Sequence, residues 1–252
     1  MAQITLDPNS VDDYRTFLKI KSLPSYRMRG RLAEFPDEYA AKIGIAPSNR
    51  MFRNWEPSSF LFDYQKAITE MAIEKNKFAV FADCGLGKTL IQLEFAQSSL
   101  QTLSKRNQGF LIVAPLMVVR QTITEAEKFY PGIELEKVNA AGLQDWLDGC
   151  GGKLGITNYE AIKDVMRRGQ LGGLLLDESS MLKSHYGKWG TRLLKLGEGL
   201  EFKHCGTGTP APNDRIEYAN HAVFLDAFPN INSFLATYFI NRGQTQDRWE
   251  LK

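Results

Sequence analysis

Apolar runs that alternate with amphipathic stretches dominate the middle of the chain. Residues 78–81, 109–114 and 174–176 are continuously apolar, which is typical of strands buried on both faces of a parallel sheet. Further strands are predicted at 134–138 and 154–159 and from residue 202. Apolar residues three or four positions apart predict helices at 63–75, 90–96, 121–129, 143–147 and 160–168. This alternation predicts an α/β fold with a doubly wound parallel sheet and helices on both faces.

The two ends of the chain follow other patterns. Residues 2–6 predict a short strand, and residues 10–13 resemble a capping box before a helix at 14–23. Helices are also predicted at 217–224 and 231–240, before a polar tail at 243–252. Loop-forming residues at 47–59 mark a boundary. We therefore predict a small N-terminal α+β extension at 1–58, an α/β lobe at 59–228 and a C-terminal helical tail at 229–252.

Composition and charge restrict the classes of partner. With 252 residues, of which 43% are hydrophobic and 24% charged, the chain has the composition of a soluble globular protein. The net charge of +2 requires no acidic partner, so a nucleic-acid surface would have to be a local patch. One candidate patch is a basic run formed by Lys19, Lys21, Arg27, Arg29 and Arg31. The run fits a phosphate-binding surface and a solvated face equally well.

The cysteines and the N-terminus indicate a cytoplasmic protein. Cys84, Cys150 and Cys205 lie far apart without Cys-x-x-Cys spacing, which favours neither a zinc site nor a disulfide framework. No signal-peptide pattern opens the chain, and no apolar run approaches the ~18 residues that span a bilayer. We therefore expect no membrane partner.

A glycine-containing loop joins the strand predicted at 78–81 to the next helix. It reads Ala-Asp-Cys-Gly-Leu-Gly-Lys-Thr, and its residues predicted to bind a nucleotide are Gly85, Leu86, Gly87, Lys88 and Thr89. The glycines can adopt positive φ, so backbone N–H groups can face phosphate oxygens at a helix N-terminus. Lys88 would reach the β and γ phosphates, and the Thr89 hydroxyl would bind Mg²⁺. The loop predicts ATP and Mg²⁺ as ligands.

Two further positions suit nucleotide chemistry. Asp177 and Glu178 follow a buried strand, where the aspartate can hold Mg²⁺ through water and the glutamate can deprotonate an attacking water. The other interpretation of this pair is a surface turn. Gln65 lies just upstream of the loop, and its amide can both donate to and accept from an adenine edge.

Six short motifs occur in an order that resembles superfamily 2 helicases. The resemblance is to the remodeller-like branch of double-stranded-DNA translocases, including compact phage versions, and it covers residues 60 to about 213. The matching motifs are the Q motif at 60–65, motif I at 82–89, motif Ia at 114–116, motif Ib at 157–160, motif II at 177–180 and motif III at 207–210. Ala82 takes the place of the first glycine of motif I, a variant common in helicases.

The resemblance implies an ATP-binding RecA-like lobe of a DNA-dependent ATPase that couples hydrolysis to movement on duplex DNA. It implies adenine recognition by Gln65, Mg²⁺ binding through Thr89 and Asp177, and catalysis by Glu178 with Lys88. Residues implied to contact the nucleic acid are Pro115, Thr157 and Asn158, and residues implied to couple the nucleotide state to DNA binding are Thr207, Gly208 and Thr209. A second RecA-like lobe would be the remaining partner.

Two departures from the family pattern leave alternatives open. Motif II reads Asp-Glu-Ser-Ser, so Ser180 stands where the family has a histidine that links motif II to motif III. We predict no second lobe after motif III, where Arg242 and Arg248 are available as late arginines, so we expect the first lobe of a longer protein. The alternatives are a nucleotide-dependent binding or regulatory module without turnover and an RNA helicase lobe. Single-stranded DNA and RNA remain alternatives to duplex DNA.

Overall fold

The structure is a computed structural model that describes residues 2–24, 26–36, 39–45, 55–164, 166–183, 187–241 and 249–252. The chain divides into two compact units, which are Met1–Phe52 together with Asp226–Lys252, and Arg53–Leu225. We call them the smaller unit and the larger unit. The boundaries expected from the sequence, at residues 58 and 228, stay predictions.

The described strands and helices are as follows. The strands are β1 Ala2–Thr5, β2 Arg27–Arg29, β3 Leu32–Phe35, β4 Lys77–Phe81, β5 Gly109–Ala114, β6 Leu135–Lys137, β7 Leu154–Asn158, β8 Leu171–Asp177, β9 Phe202–Thr207, β10 Phe239–Asn241 and β11 Trp249–Leu251. The α-helices are α1 Val11–Lys21, α2 Ala40–Ile43, α3 Asp63–Lys75, α4 Lys88–Ser104, α5 Leu116–Phe129, α6 Leu143–Asp148, α7 Lys188–Gly197, α8 Tyr218–Phe224 and α9 Ile231–Tyr238. Short 3₁₀ turns occur at Tyr159–Ala161, Ser179–Leu182 and Arg215–Glu217.

The larger unit is built on a six-stranded parallel sheet. Its strand order is β4-β9-β8-β5-β7-β6, and each neighbouring pair is parallel. Strands β5, β8 and β9 are buried along their whole length. The apolar runs of β5 and β8 predict this burial, whereas β9 carries the polar residues Lys203, His204 and Thr207. The α/β fold with a parallel sheet is therefore confirmed.

Alternate residues of the central strands pack against two separate cores. Leu174 and Leu176 of β8 join one cluster, which includes residues of α6, α7 and α8. Leu175, between them, joins the other cluster, which includes residues of α3, α4 and α5. Because successive side chains of a strand point to opposite faces, the helices cover both faces of the sheet.

The smaller unit contains a three-stranded antiparallel sheet in the order β1-β3-β2. Its described core includes Ile20 of α1, Ala33 and Phe35 of β3, and Ala40 and Ile43 of α2. Strands β10 and β11 form a separate antiparallel pair. Ser10 is the N-cap of α1, and its side chain accepts a hydrogen bond from Asp13 N. The helix therefore begins at Val11, three residues earlier than predicted.

Several predicted helices differ from the observed ones. The helix predicted at 160–168 is wrong, because a single 3₁₀ turn, capped at its start by the Asn158 side chain, ends at Ile162, which is extended. The helix predicted at 231–240 ends at Tyr238, where β10 begins. Helix α7 and strands β2 and β3 were not predicted. Most of the polar tail at 243–252 lies outside the described residues.

In the described part of the chain, no helix is both long enough and apolar enough to cross a membrane.

Candidate nucleotide site

The glycine-containing loop runs from the end of β4 to the start of α4. Gly85 and Gly87 have φ of 80° and 64°, the left-handed region that the loop sequence predicted for them. A Cβ on Gly87 would also overlap the Gln65 side chain, so this position needs glycine for space as well. Helix α4 spans 17 residues, and its first backbone N–H groups are available to an anion at this end.

Lys88, the first residue of α4, points back over the loop. Its Nζ donates to the main-chain carbonyls of Ala82 at 2.7 Å and Asp83 at 2.9 Å. The next residue, Thr89, is half-buried. An ammonium held at the loop is placed to bind phosphate oxygens once it exchanges these carbonyl partners.

Gln65 is held against the same loop from α3. It is 2% exposed, its Oε1 accepts from Phe62 N at 2.9 Å, and its Nε2 donates to Leu86 O at 3.3 Å. Tyr64 OH also donates to Leu86 O, at 3.2 Å. The contacts of the Gln65 amide are thus with the protein itself, and adenine recognition by this residue stays a prediction.

An exposed aromatic pair lies beside this contact. The Phe62 and Tyr64 rings are stacked with an interplanar angle of 11° and centroids 5.9 Å apart. Their exposed fractions are 67% and 43%. Flat exposed rings next to a phosphate loop offer a surface on which a nucleobase can stack.

Asp177 ends β8 and is nearly buried, with 8% exposure. Its Oδ1 accepts from Gln92 Nε2 at 2.9 Å and from Glu178 N at 3.0 Å. Burial raises the pKa of this carboxyl, and the hydrogen bond from Gln92 opposes that rise. The Tyr159 hydroxyl fixes the main chain here by donating to Asp177 O at 2.7 Å.

Glu178 follows in an unusual backbone conformation. Its φ of 51° and ψ of 52° are left-handed, which is uncommon for a residue with a long side chain and typical of functional sites. Its Oε1 accepts from Ser180 Oγ at 2.9 Å and from Thr207 Oγ1 at 2.8 Å. Thr207 Oγ1 in turn accepts from Thr209 N at 3.1 Å. A direct hydrogen bond between motifs II and III therefore exists although Ser180 replaces the histidine.

Helix α8 adds a contact that the sequence did not predict. His221 Nε2 lies 3.1 Å from Ser179 Oγ, and its ring meets the Phe81 ring edge-on, with centroids 5.5 Å apart. Burial lowers the pKa of His221 and favours its neutral form. Through this ring, α8 contacts both motif II and the end of β4.

The sheet brings these groups together through its register. Phe81 pairs with Thr207, and Asp177 pairs with Gly206, so the carboxyl ends of β4, β9 and β8 are adjacent. Gly208 follows Thr207, and a Cβ built at this position would lie 3.4 Å from Ala82 O. Motifs I, II and III thus converge at one edge, where ligands of open parallel sheets bind.

The residues predicted to contact nucleic acid lie at the ends of β5 and β7. Pro115 is the N-cap of α5, beside Leu116 and Met117, which are 60% and 90% exposed. Thr157 is 2% exposed, and its hydroxyl donates to Val138 O at 2.7 Å. Asn158 Oδ1 accepts from Ala161 N at 2.9 Å. Thr157 therefore has a structural role in this fold, and its contact with DNA stays a prediction.

The remaining predicted contacts involve the late arginines and the main chain of motifs Ia and Ib. The late arginines Arg242 and Arg248 lie outside the described residues. Main-chain contacts from motifs Ia and Ib to a nucleic acid stay predictions. Cys84, in the glycine-containing loop, is exposed.

The acidic groups fit a magnesium ion. Mg²⁺ in phosphate-transfer sites is held by one or two carboxylates or hydroxyls together with phosphate oxygens and water. Asp177 provides a carboxylate whose pKa is raised mainly by desolvation, a rise that the hydrogen bonds from Gln92 and Glu178 N and the charge of Lys88 oppose. In the described ranges no cluster of three or more His, Cys, Asp or Glu side chains forms a protein-only metal site.

Comparisons with known proteins show the fold. No protein-family model matches the chain, and no curated protein matches it by sequence. The SWI2/SNF2 ATPase core of Sulfolobus solfataricus in complex with dsDNA is similar over 72% of this chain and 39% of its own, with 20% identity and a TM-score of 0.58. The core domain from the same organism is similar over 75% of this chain and 40% of its own, with 18% identity and a TM-score of 0.57. The chain thus has the RecA-like fold of these ATPase cores and spans less than half of their length.

Proposed function

We propose that this chain is the ATP-binding lobe of a DNA-dependent ATPase, of the helicase or duplex-DNA translocase type. The observation that carries the proposal is the convergence of the glycine-containing loop, Asp177, Glu178 and Thr207 at adjacent strand ends. A binding module without turnover has no need for a glutamate held by two hydroxyl groups, Ser180 and Thr207. The geometry therefore favours hydrolysis over regulation alone.

In this proposal each group has a separate role. Lys88 and the backbone N–H groups at the start of α4 bind the β and γ phosphates. Thr89 and Asp177 hold Mg²⁺, which when bound neutralises charge that develops on the phosphates. Glu178 accepts the proton of the attacking water, and the hydroxyls of Ser180 and Thr207 orient its carboxylate. The exposed rings of Phe62 and Tyr64 form the surface for the base.

Duplex DNA is the proposed nucleic acid. One structure with the same fold is an ATPase core in complex with dsDNA, and this chain spans 39% of that core. We infer that a second RecA-like lobe supplies arginine side chains for the reaction, that movement along DNA requires both lobes, and that the protein is a cytoplasmic, phage-type member of superfamily 2. By itself the lobe should hydrolyse ATP slowly, because arginine fingers contribute roughly 10³–10⁵ in rate.

The test is nucleotide binding followed by turnover. We expect the chain to bind a fluorescent ATP analogue with Mg²⁺ and Lys88→Ala to abolish that binding. Lys105→Ala removes the same charge from an exposed position just beyond the other end of α4, so it serves as the matched control. Equal affinity of the Lys88→Ala protein would overturn the assignment of the loop.

Turnover with and without duplex DNA then separates the enzyme from a binding module. We expect slow turnover that duplex DNA stimulates once the second lobe is present in the same chain. A two-lobe protein that binds nucleotide and shows no turnover above the Lys88→Ala blank would contradict the ATPase proposal.

A further inference from the structure

We propose that Gln92 is a positioning residue that fixes the Asp177 carboxylate so that only one of its oxygens faces the magnesium ion. This inference rests on the proposed function, because it concerns how the same site holds its cation. Gln92 lies outside the six helicase-like motifs, three residues after the end of motif I.

Gln92 reaches the acid from the helix that begins at the phosphate loop. It lies four residues after Lys88 on α4, and residues four apart lie on the same face of a helix. The side chain is 2% exposed, and its Nε2 donates to Asp177 Oδ1 at 2.9 Å across 85 positions of sequence. Because the bond is buried, water competes little with it.

The two oxygens of Asp177 have different surroundings. Oδ1 accepts from both Gln92 Nε2 and Glu178 N. Within the described part of the chain, no hydrogen bond engages Oδ2. The pair of donors therefore leaves Oδ2 as the oxygen that can bind a cation or its water.

Gly206 provides the space for this contact. It lies opposite Asp177 in the pairing of β8 with β9, and its backbone is outside the left-handed region. A Cβ at this position would overlap Gln92 Nε2, whereas it would lie 3.8 Å from Asp177 Oδ1, an ordinary contact distance. The glycine thus leaves room for the Gln92 amide, which a Cβ at this position would displace.

A neutral donor suits a cation site better than a basic one. An arginine or lysine at this place would orient Asp177 but would also neutralise it, and so would compete with Mg²⁺. The Gln92 amide orients the carboxylate and leaves its full negative charge to the cation. Gln92 also joins the helix of motif I to the strand end of motif II.

The experiment is a Mn²⁺ titration of the full chain saturated with a fluorescent, non-hydrolysable ATP analogue, followed by the fluorescence of the analogue. The variants are Gln92→Ala, Gly206→Ala and the double variant. Loss of a hydrogen bond that orients a metal ligand weakens metal affinity about 10- to 100-fold. We therefore expect the Mn²⁺ midpoint of Gln92→Ala to rise by about tenfold or more on that scale. Affinity for the analogue in EDTA should be unchanged.

Gly206→Ala gives an independent test of the same contact. Its new methyl group displaces the amide, so its Mn²⁺ midpoint should rise as in Gln92→Ala. In the double variant the methyl group has space, and the midpoint should be no higher than in Gln92→Ala.

Two results would overturn the inference while the proposed function stands. The first is that Gln92→Ala protein binds the analogue and has the same Mn²⁺ midpoint as the wild-type chain. The second is that the increases in Mn²⁺ midpoint caused by Gln92→Ala and Gly206→Ala add up in the double variant. Failure of the wild-type chain to bind the analogue would instead overturn the proposed function and this inference together.

Discussion

Replacing His204 by leucine should remove much of the acid sensitivity of the larger unit. His204 lies in the middle of β9, fully buried, with its ring 5.0 Å from the Phe95 ring. Within the described residues neither ring nitrogen has a hydrogen-bond partner. Desolvation lowers the pKa of His204 from 6.5 to about 3, because a charged imidazole in this core would lose its hydration without compensation.

The sign and size of the effect follow from this pKa. Below pH 6.5 the unfolded chain binds a proton at His204, whereas the folded chain stays neutral down to about pH 3. The free energy of unfolding therefore falls as the pH falls, by about 1.4 kcal/mol per pH unit. Between pH 7.5 and pH 4.5 this amounts to roughly 2–3 kcal/mol from His204 alone.

The assay is urea unfolding of the wild-type chain and the His204→Leu chain at pH 7.5 and pH 4.5. Tryptophan fluorescence is a suitable probe, since three of the four tryptophans, Trp55, Trp146 and Trp189, lie in the larger unit. Leucine has a similar volume and removes two buried nitrogen atoms, so stability at pH 7.5 should be equal or higher.

The two proteins should differ in how much unfolding free energy they lose between pH 7.5 and pH 4.5. This difference reports His204 alone, because the other acidic and basic groups titrate equally in both proteins. An equal loss of stability in the two proteins between pH 7.5 and pH 4.5 would refute the reasoning.

Three further substitutions test the site. Gly87→Ala should weaken nucleotide binding and lower the melting temperature, because position 87 has a φ of 64° and its new methyl group would overlap Gln65; normal binding would contradict this steric account. Tyr159→Phe should destabilise the chain by roughly 1–3 kcal/mol in urea unfolding, because the carbonyl of Asp177 loses a buried donor at 2.7 Å. An unchanged midpoint of urea unfolding would show that this hydrogen bond contributes nothing to stability. Glu178→Gln should keep nucleotide affinity and abolish ATP turnover in a two-lobe protein, and undiminished turnover would mean that another group is the base.

The sequence predicted the sheet well because its strands are buried on both faces. Strands such as β5 and β8 contain short apolar runs flanked by glycine, proline or acidic residues, and their length separates them from buried helices. The helix predicted at 160–168 failed because the 3₁₀ turn that Asn158 caps at its start already ends at Ile162, which is extended, and apolar spacing does not report where a turn ends.

The candidate site was predicted only where its residues belong to local motifs. The partners of those residues come from distant positions, as with Gln92 and Asp177, 85 residues apart, or Ser179 and His221, 42 residues apart. Residue type also does not show whether a small polar side chain is exposed: Thr157 is buried, and its contact with nucleic acid stays a prediction. For α7 the sequence did contain a signal, since Leu193 and Leu196 recur at helical spacing and are buried.

Lys88 Nζ donates to the carbonyls of Ala82 and Asp83, so these two carbonyls compete with a bound phosphate for the same ammonium group. A phosphate can engage this ammonium only when the loop releases it, so the measured affinity is the intrinsic affinity reduced by the fraction of molecules in the released form. If the self-bonded form is favoured about tenfold, the apparent dissociation constant rises about tenfold. Any partner that withdraws these two carbonyls from Lys88 would then tighten nucleotide binding without touching the nucleotide.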